Sequence, residues 1–150
     1  MIKPGRSQAK IFLAAAVLLS TPVEAAHELE GRNIANGMTL YAEQCATCHG
    51  SELEGQPDWQ RPNAGGVLPA PPHDETGHTW HHDNQLLFED TKLGGEAALE
   101  ERGISGFKSG MPEFGSTLTE EEIWDILAFI RSTWPERIQN NQAARNRPFH

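Results

Sequence analysis

Basic side chains, cysteines and long apolar runs are all scarce in this chain, and each scarcity removes a class of function. Twelve lysines and arginines face 21 acidic residues, for a formal net charge of −9. Such acidity argues against nucleic acid or anionic lipid as a partner. It favours a basic docking face on any protein the chain meets, although solubility alone would also account for it. The longest apolar run, residues 11–19, is nine residues long, whereas a bilayer-spanning helix needs ~20; no stable membrane insertion is expected. Only two cysteines occur, Cys45 and Cys48. Neither stands where a lipid anchor would be attached, and two thiols are too few for a closed zinc site without other ligands at suitable spacing. Alternating β-branched runs, internal repeats and low-complexity tracts are absent, which excludes a sheet protein and a solenoid. With 150 residues, one domain fits and a second catalytic domain does not.

Lys3, Arg6 and Lys10 flank the apolar run, and Val23-Glu24-Ala25-Ala26 follows it. That order is the pattern of a secretory signal peptide. Cleavage after Ala25 puts Val23 and Ala25 at the small-residue positions, so residues 1–25 read as the leader and 26–150 as the exported, periplasmic domain. An uncleaved anchor is disfavoured by the short run. Residues 1–25 carry three basic side chains and one acidic one, and removing their +2 from −9 leaves −11 for residues 26–150.

Within that domain, residues 27–31 read as a short polar lead. Asn36 to Gln44 reads as a helix with Met38, Tyr41 and Ala42 on one side, running into Cys45. Residues 50–77 are too rich in Gly and Pro for a long regular element. Asp83 is a candidate N-cap for a helix through Leu86, Leu87 and Phe88 that Gly94 and Gly95 end, and a short helical stretch is expected at residues 97–101. The strongest signal comes last. Thr119 with Glu122 makes a capping box, Glu120 and Glu121 suit the positive end of the helix dipole, and Ile123, Ile126, Leu127, Ile130 and Trp134 form one apolar face. Pro135 stops or kinks this helix, and residues from about 143 to 150 read as a flexible tail. The fold class is all-α with long loops and a core at about residues 33–135.

Cys45-Ala46-Thr47-Cys48-His49 carries the chemistry. Two thiols three positions apart can each bond one vinyl group of a haem, and the histidine that follows can ligate its iron. A dithiol redox motif would need a βαβ frame and a zinc site two further ligands, and neither is present. One covalent haem c would also supply the core that so Gly- and Pro-rich a chain lacks. The sixth iron ligand has several candidates: Met38, Met111 and the histidines at 27, 73, 78, 81, 82 and 150. Met38 lies two turns before Cys45, on the element holding the proximal side, and reads as core packing. Met111 lies in Gly110-Met111-Pro112, where glycine allows close approach and proline stiffens it. A loop methionine packing on the last helix is the alternative.

In Tyr41, the motif at 45–49, the loop at 110–112 and the helix from Leu118 to Trp134, the sequence resembles class I cytochrome c over most of residues 33–135. The resemblance implies thioether bonds at Cys45 and Cys48, iron ligation by His49 and Met111, and crossing N- and C-terminal helices with Gly37 at the contact. It also implies a proline carbonyl that receives the His49 Nδ1 proton, with Pro69, Pro71 and Pro72 as candidates. Residues 51–82 form an insertion after the haem motif, longer than in small carriers of that family. It holds Trp59 and Trp80, suited to packing on haem edges or donating to propionates, and His73, His78, His81 and His82. A one-electron carrier serving redox proteins is the leading reading. The alternatives are a histidine-built copper site in which His78 joins His81 or His82, with Asp74 or Asp83 able to add an oxygen ligand, and a ligand-binding or peroxidase-like haem protein.

Overall fold

The computed structural model describes residues 28–146. The expected leader at 1–25, the candidate ligands His27 and His150, and the last four residues lie outside the described residues. Among those described, the regular elements are all helical and no strand occurs. They are α1 (Ile34–Gln44), α2 (Ala46–His49), α3 (Asn84–Leu93), α4 (Gly95–Glu101), α5 (Glu120–Ser132) and α6 (Glu136–Ala143), with 3-10 turns at Thr79–His81 and Ala144–Asn146.

Helix α1 starts two residues earlier than its polarity suggests because Asn33 caps it, its side chain accepting from the Asn36 N–H at 3.1 Å. Asp125 of α5 then holds this end, accepting from the Asn33 N–H at 3.0 Å and the Asn36 amide at 2.9 Å. The buried face is Gly37, Tyr41 and Cys45, spaced by four. Of the expected face of Met38, Tyr41 and Ala42 only Tyr41 is buried, and Met38, 54% exposed, is not core packing. Gly37 explains the register: a Cβ there would lie 2.0 Å from the Asp125 carbonyl oxygen. Only the glycine edge of α1 can meet the α5 backbone.

The α5 capping box forms as read, with Thr119 accepting from the Glu122 N–H and Glu122 accepting from Thr119. Ile123, Ile126, Leu127 and Ile130 are buried against α1 and α3. Each such side chain contributes roughly 1.5–3 kcal/mol of apolar transfer. Phe88 of α3 stacks on Trp124 at 4.4 Å. Asp83 caps α3 and Gly94 ends it, as its sequence implies. Leu29, in the stretch that reads as a polar lead, is 5% exposed and belongs to the core.

The chain does not become a tail at 143. Pro135 stands before α6, which buries Ile138 and Gln142. The Gln142 amide donates to Asn84 Oδ1 at 2.7 Å, and Asn146 Oδ1 accepts from the Asn84 N–H at 2.7 Å. These side-chain bonds fasten residues up to 146 onto the start of α3. Between Gly50 and Gly77 no helix forms, and this long excursion is pinned where Gly55, at φ 67°, presses its backbone on Pro72.

Candidate haem-binding site

The motif occupies the step from α1 into α2. Cys45 closes α1 by donating from its N–H to Tyr41, and His49 donates from its N–H to Cys45, each at 2.9 Å. Cys45 is buried and Cys48 exposed. Burial, with Cys48 adding to it, pushes the Cys45 thiol up to about 11. The Tyr41 hydroxyl donates to the Gly50 carbonyl at 3.0 Å and fixes the exit of the motif.

His49 Nδ1 lies 2.8 Å from the Pro71 carbonyl oxygen. A carbonyl can only accept, so the proton sits on Nδ1 and the lone pair on Nε2. Of the three prolines open from sequence, Pro71 takes this role. Burial lowers the His49 pKa while the Pro71 bond partly restores it. The ring is therefore held neutral and oriented, the state that a metal-ligating imidazole requires.

Beside this motif is a cavity of about 530 Å³, a size typical of cofactor sites. Its walls come from four distant parts of the chain: Cys48; the excursion at Trp59, Val67, Leu68 and Pro71; α3 at Leu86 and Leu87; and the segment carrying Leu99, Phe107 and Met111. Met111 is half-buried, its N–H held by Ser109 Oγ at 3.1 Å and its carbonyl accepting from Gly95. Cys45 and His49 lie behind the wall. His73 covers His49, the two rings stacked at 4.0 Å and 21°.

The other candidates sort by these contacts. A ring stacked on His49 cannot stand across a macrocycle from it, which removes His73 as the opposite ligand. Its Nδ1 is already 2.8 Å from the Thr79 hydroxyl, and its carbonyl accepts from Trp134 Nε1 at 2.7 Å. His78 stacks on Trp59 at 5.2 Å and meets His82 edge-on at 5.3 Å; both histidines line the cavity. His81 is exposed and stacks on Trp80 at 3.7 Å. Among the described residues no group of three or more His, Cys, Asp or Glu is placed to hold a metal. The expected copper site thus finds no third ligand among the described residues: His81 turns to Trp80, while His78 and His82 stay in edge contact. Trp80 also gives its indole N–H to the Glu75 carbonyl at 3.2 Å, which leaves Trp59 as the cavity tryptophan. Thr79, Asp90 and the wall residues Leu99 and Phe107 escape a sequence reading, since their roles arise only where separate segments converge.

The residues present fit a haem. The lining is mainly apolar, Cys48 opens into the cavity beside Cys45, a neutral imidazole stands behind its wall, and a thioether comes from another segment. In the described residues no helix is long and apolar enough to cross a membrane. A family model described as cytochrome c matches residues 34–134, from the start of α1 to Trp134. Searches of curated proteins and of solved structures found no match.

Proposed function

The chain belongs to the cytochrome c family, a haem-binding, electron-transfer family, and on that premise we propose that it is a periplasmic one-electron carrier with one haem c bonded to Cys45 and Cys48 and ligated by His49 and Met111. The observation that carries this reading is the pairing of His49 Nδ1 with the Pro71 carbonyl at 2.8 Å beside the cavity that Met111 also lines. The bound group supplies the redox change. Everything else falls to the chain. Pro71 holds the Nδ1 proton and so leaves the lone pair on Nε2 available to a metal. Ser109 and Gly95 fix the backbone on both sides of Met111. Leu68, Leu86, Leu87 and Leu99 exclude water and keep the local dielectric low. A thioether paired with one imidazole favours the reduced state relative to two imidazoles, which suits a carrier. The leader read at residues 1–25 supports export to the periplasm, where redox proteins with a basic face are the expected partners.

Replacing Met111 with alanine tests the ligand assignment. The haem should remain attached, the weak sulfur-to-iron absorption of the ferric protein should disappear, and the potential should fall. Survival of that band in Met111→Ala assigns the sixth position to another sulfur, with Met38 next to be replaced, whereas its absence from the unaltered ferric protein points to a histidine, with His78 and His82 next to be replaced.

A further inference from the structure

One wall of the cavity is also an outer surface. Leu99, Phe107 and Lys108 line the cavity, yet Phe107 is 37% exposed and Ile104, on the same segment, 52%. The chain turns tightly here, with Gly103 donating to the Glu100 carbonyl and Ile104 to the Leu99 carbonyl, each at 2.9 Å. Glu100 and Ile104 are thereby brought side by side. Glu96, Glu100 and Glu101 of α4 are exposed, and among the described residues none of them forms an ion pair.

The cations of this stretch are occupied. Arg102 donates to Glu89 at 2.8 Å, and Lys108 reaches across to the Gly65 carbonyl at 3.1 Å. An exposed apolar pair next to the cavity is therefore joined by this turn to a helix with three exposed carboxylates that form no ion pair, in a protein that is acidic overall. The other exposed apolar pair, Ile34 and Met38 on α1, contributes nothing to the cavity wall.

We propose that this surface, α4 with residues 103–108, docks a basic redox protein. Ile104 and Phe107 meet an apolar spot on the partner, and Glu96, Glu100 and Glu101 pair with a surrounding lysine or arginine rim. The assignment rests on the carrier reading. The event served is passage of one electron to the partner's oxidised centre, with no bond made or broken. A small interface suits it, because electron-transfer encounters are brief and bury little area, and rim charges act mainly on the association rate.

The test uses the haem-loaded protein and a lysine-rich c-type cytochrome as the probe partner. Glu96→Lys/Glu100→Lys/Glu101→Lys should slow electron transfer at low salt by about tenfold or more, and the difference should shrink at high salt. Glu43→Lys/Glu52→Lys/Glu136→Lys, with the same charge change on other elements, should slow it far less. Zero-length carbodiimide coupling of the unaltered protein to the probe should place cross-links on Glu96, Glu100 or Glu101, a readout that no misfolded variant can disturb. Equal slowing by both triple variants, or cross-links confined to other carboxylates, overturns the docking surface. Cycling with a small-molecule mediator separates this outcome from the parent reading. A protein that cannot cycle overturns the carrier, whereas one that cycles normally while the two triples behave alike overturns the surface alone.

Discussion

A carboxyl set in an apolar wall behaves unlike one on the surface, and Asp90 is set in such a wall, lining the cavity with Leu86, Leu87 and Leu99. Burial raises its pKa, because the charged form loses water without gaining a cation. The sign of the stability effect follows. In the unfolded chain the group ionises near its ordinary value of about 3.9. As pH rises past that value, the unfolded state releases the proton before the folded state does, and stability falls. Asp90→Asn should therefore be more stable than the parent at neutral pH, and the gain should vanish below about pH 4. Denaturant titrations at the two pH values check this, and a variant less stable at neutral pH contradicts it. At this scale the sequence is informative where chemistry is local. Cys45, Cys48 and His49 declare themselves by spacing, and Gly110-Met111-Pro112 by its neighbours. The choice of Pro71 over Pro69 and Pro72 depends on the path of a glycine- and proline-rich excursion, and no period in the residues encodes that path.

The contact between α1 and α5 depends on one missing methyl. A Cβ on Gly37 would stand 2.0 Å from the Asp125 carbonyl oxygen and 3.0 Å from Phe129 Cβ. Both neighbours belong to a packed helix, so they cannot yield without moving α5. Gly37→Ala should cost about 1–3 kcal/mol through this overpacking, despite alanine's better helix propensity. Chemical denaturation of the haem-loaded protein measures it, and a neutral or stabilising result would mean that the helices are not pressed together here. Elements with their own caps are legible from sequence: α3 has Asp83 and Gly94, and α5 has the Thr119 and Glu122 box. The register of α1 is not, because Met38 and Ala42 have the right polarity and the wrong face, and the face is decided by the backbone of α5. Helix α6 is hidden for a related reason. It buries only Ile138 and Gln142, and its place is fixed by amide bonds to Asn84 that no hydrophobic pattern announces.

The described residues form a helical frame whose cavity draws on segments as far apart as Cys48 and Met111. Its all-α class and family membership are legible in the motif and the last helix. The identity of the cavity walls is not, since the excursion, α3 and the segment after α4 meet only once the frame has folded. Four histidines close in sequence suggested a copper site, and folding sends His73 to His49 and His81 to Trp80, which leaves His78 and His82 as neighbours. On the proposed reading His49 and Met111 would both hold the iron of one haem, and the protein would use it to carry single electrons. The absorption spectrum of the reduced protein before and after carbon monoxide tests this most directly. Sharp six-coordinate low-spin bands that carbon monoxide leaves unchanged are the predicted result; a high-spin spectrum that shifts on adding the gas would contradict it and make the protein a ligand-binding haem protein.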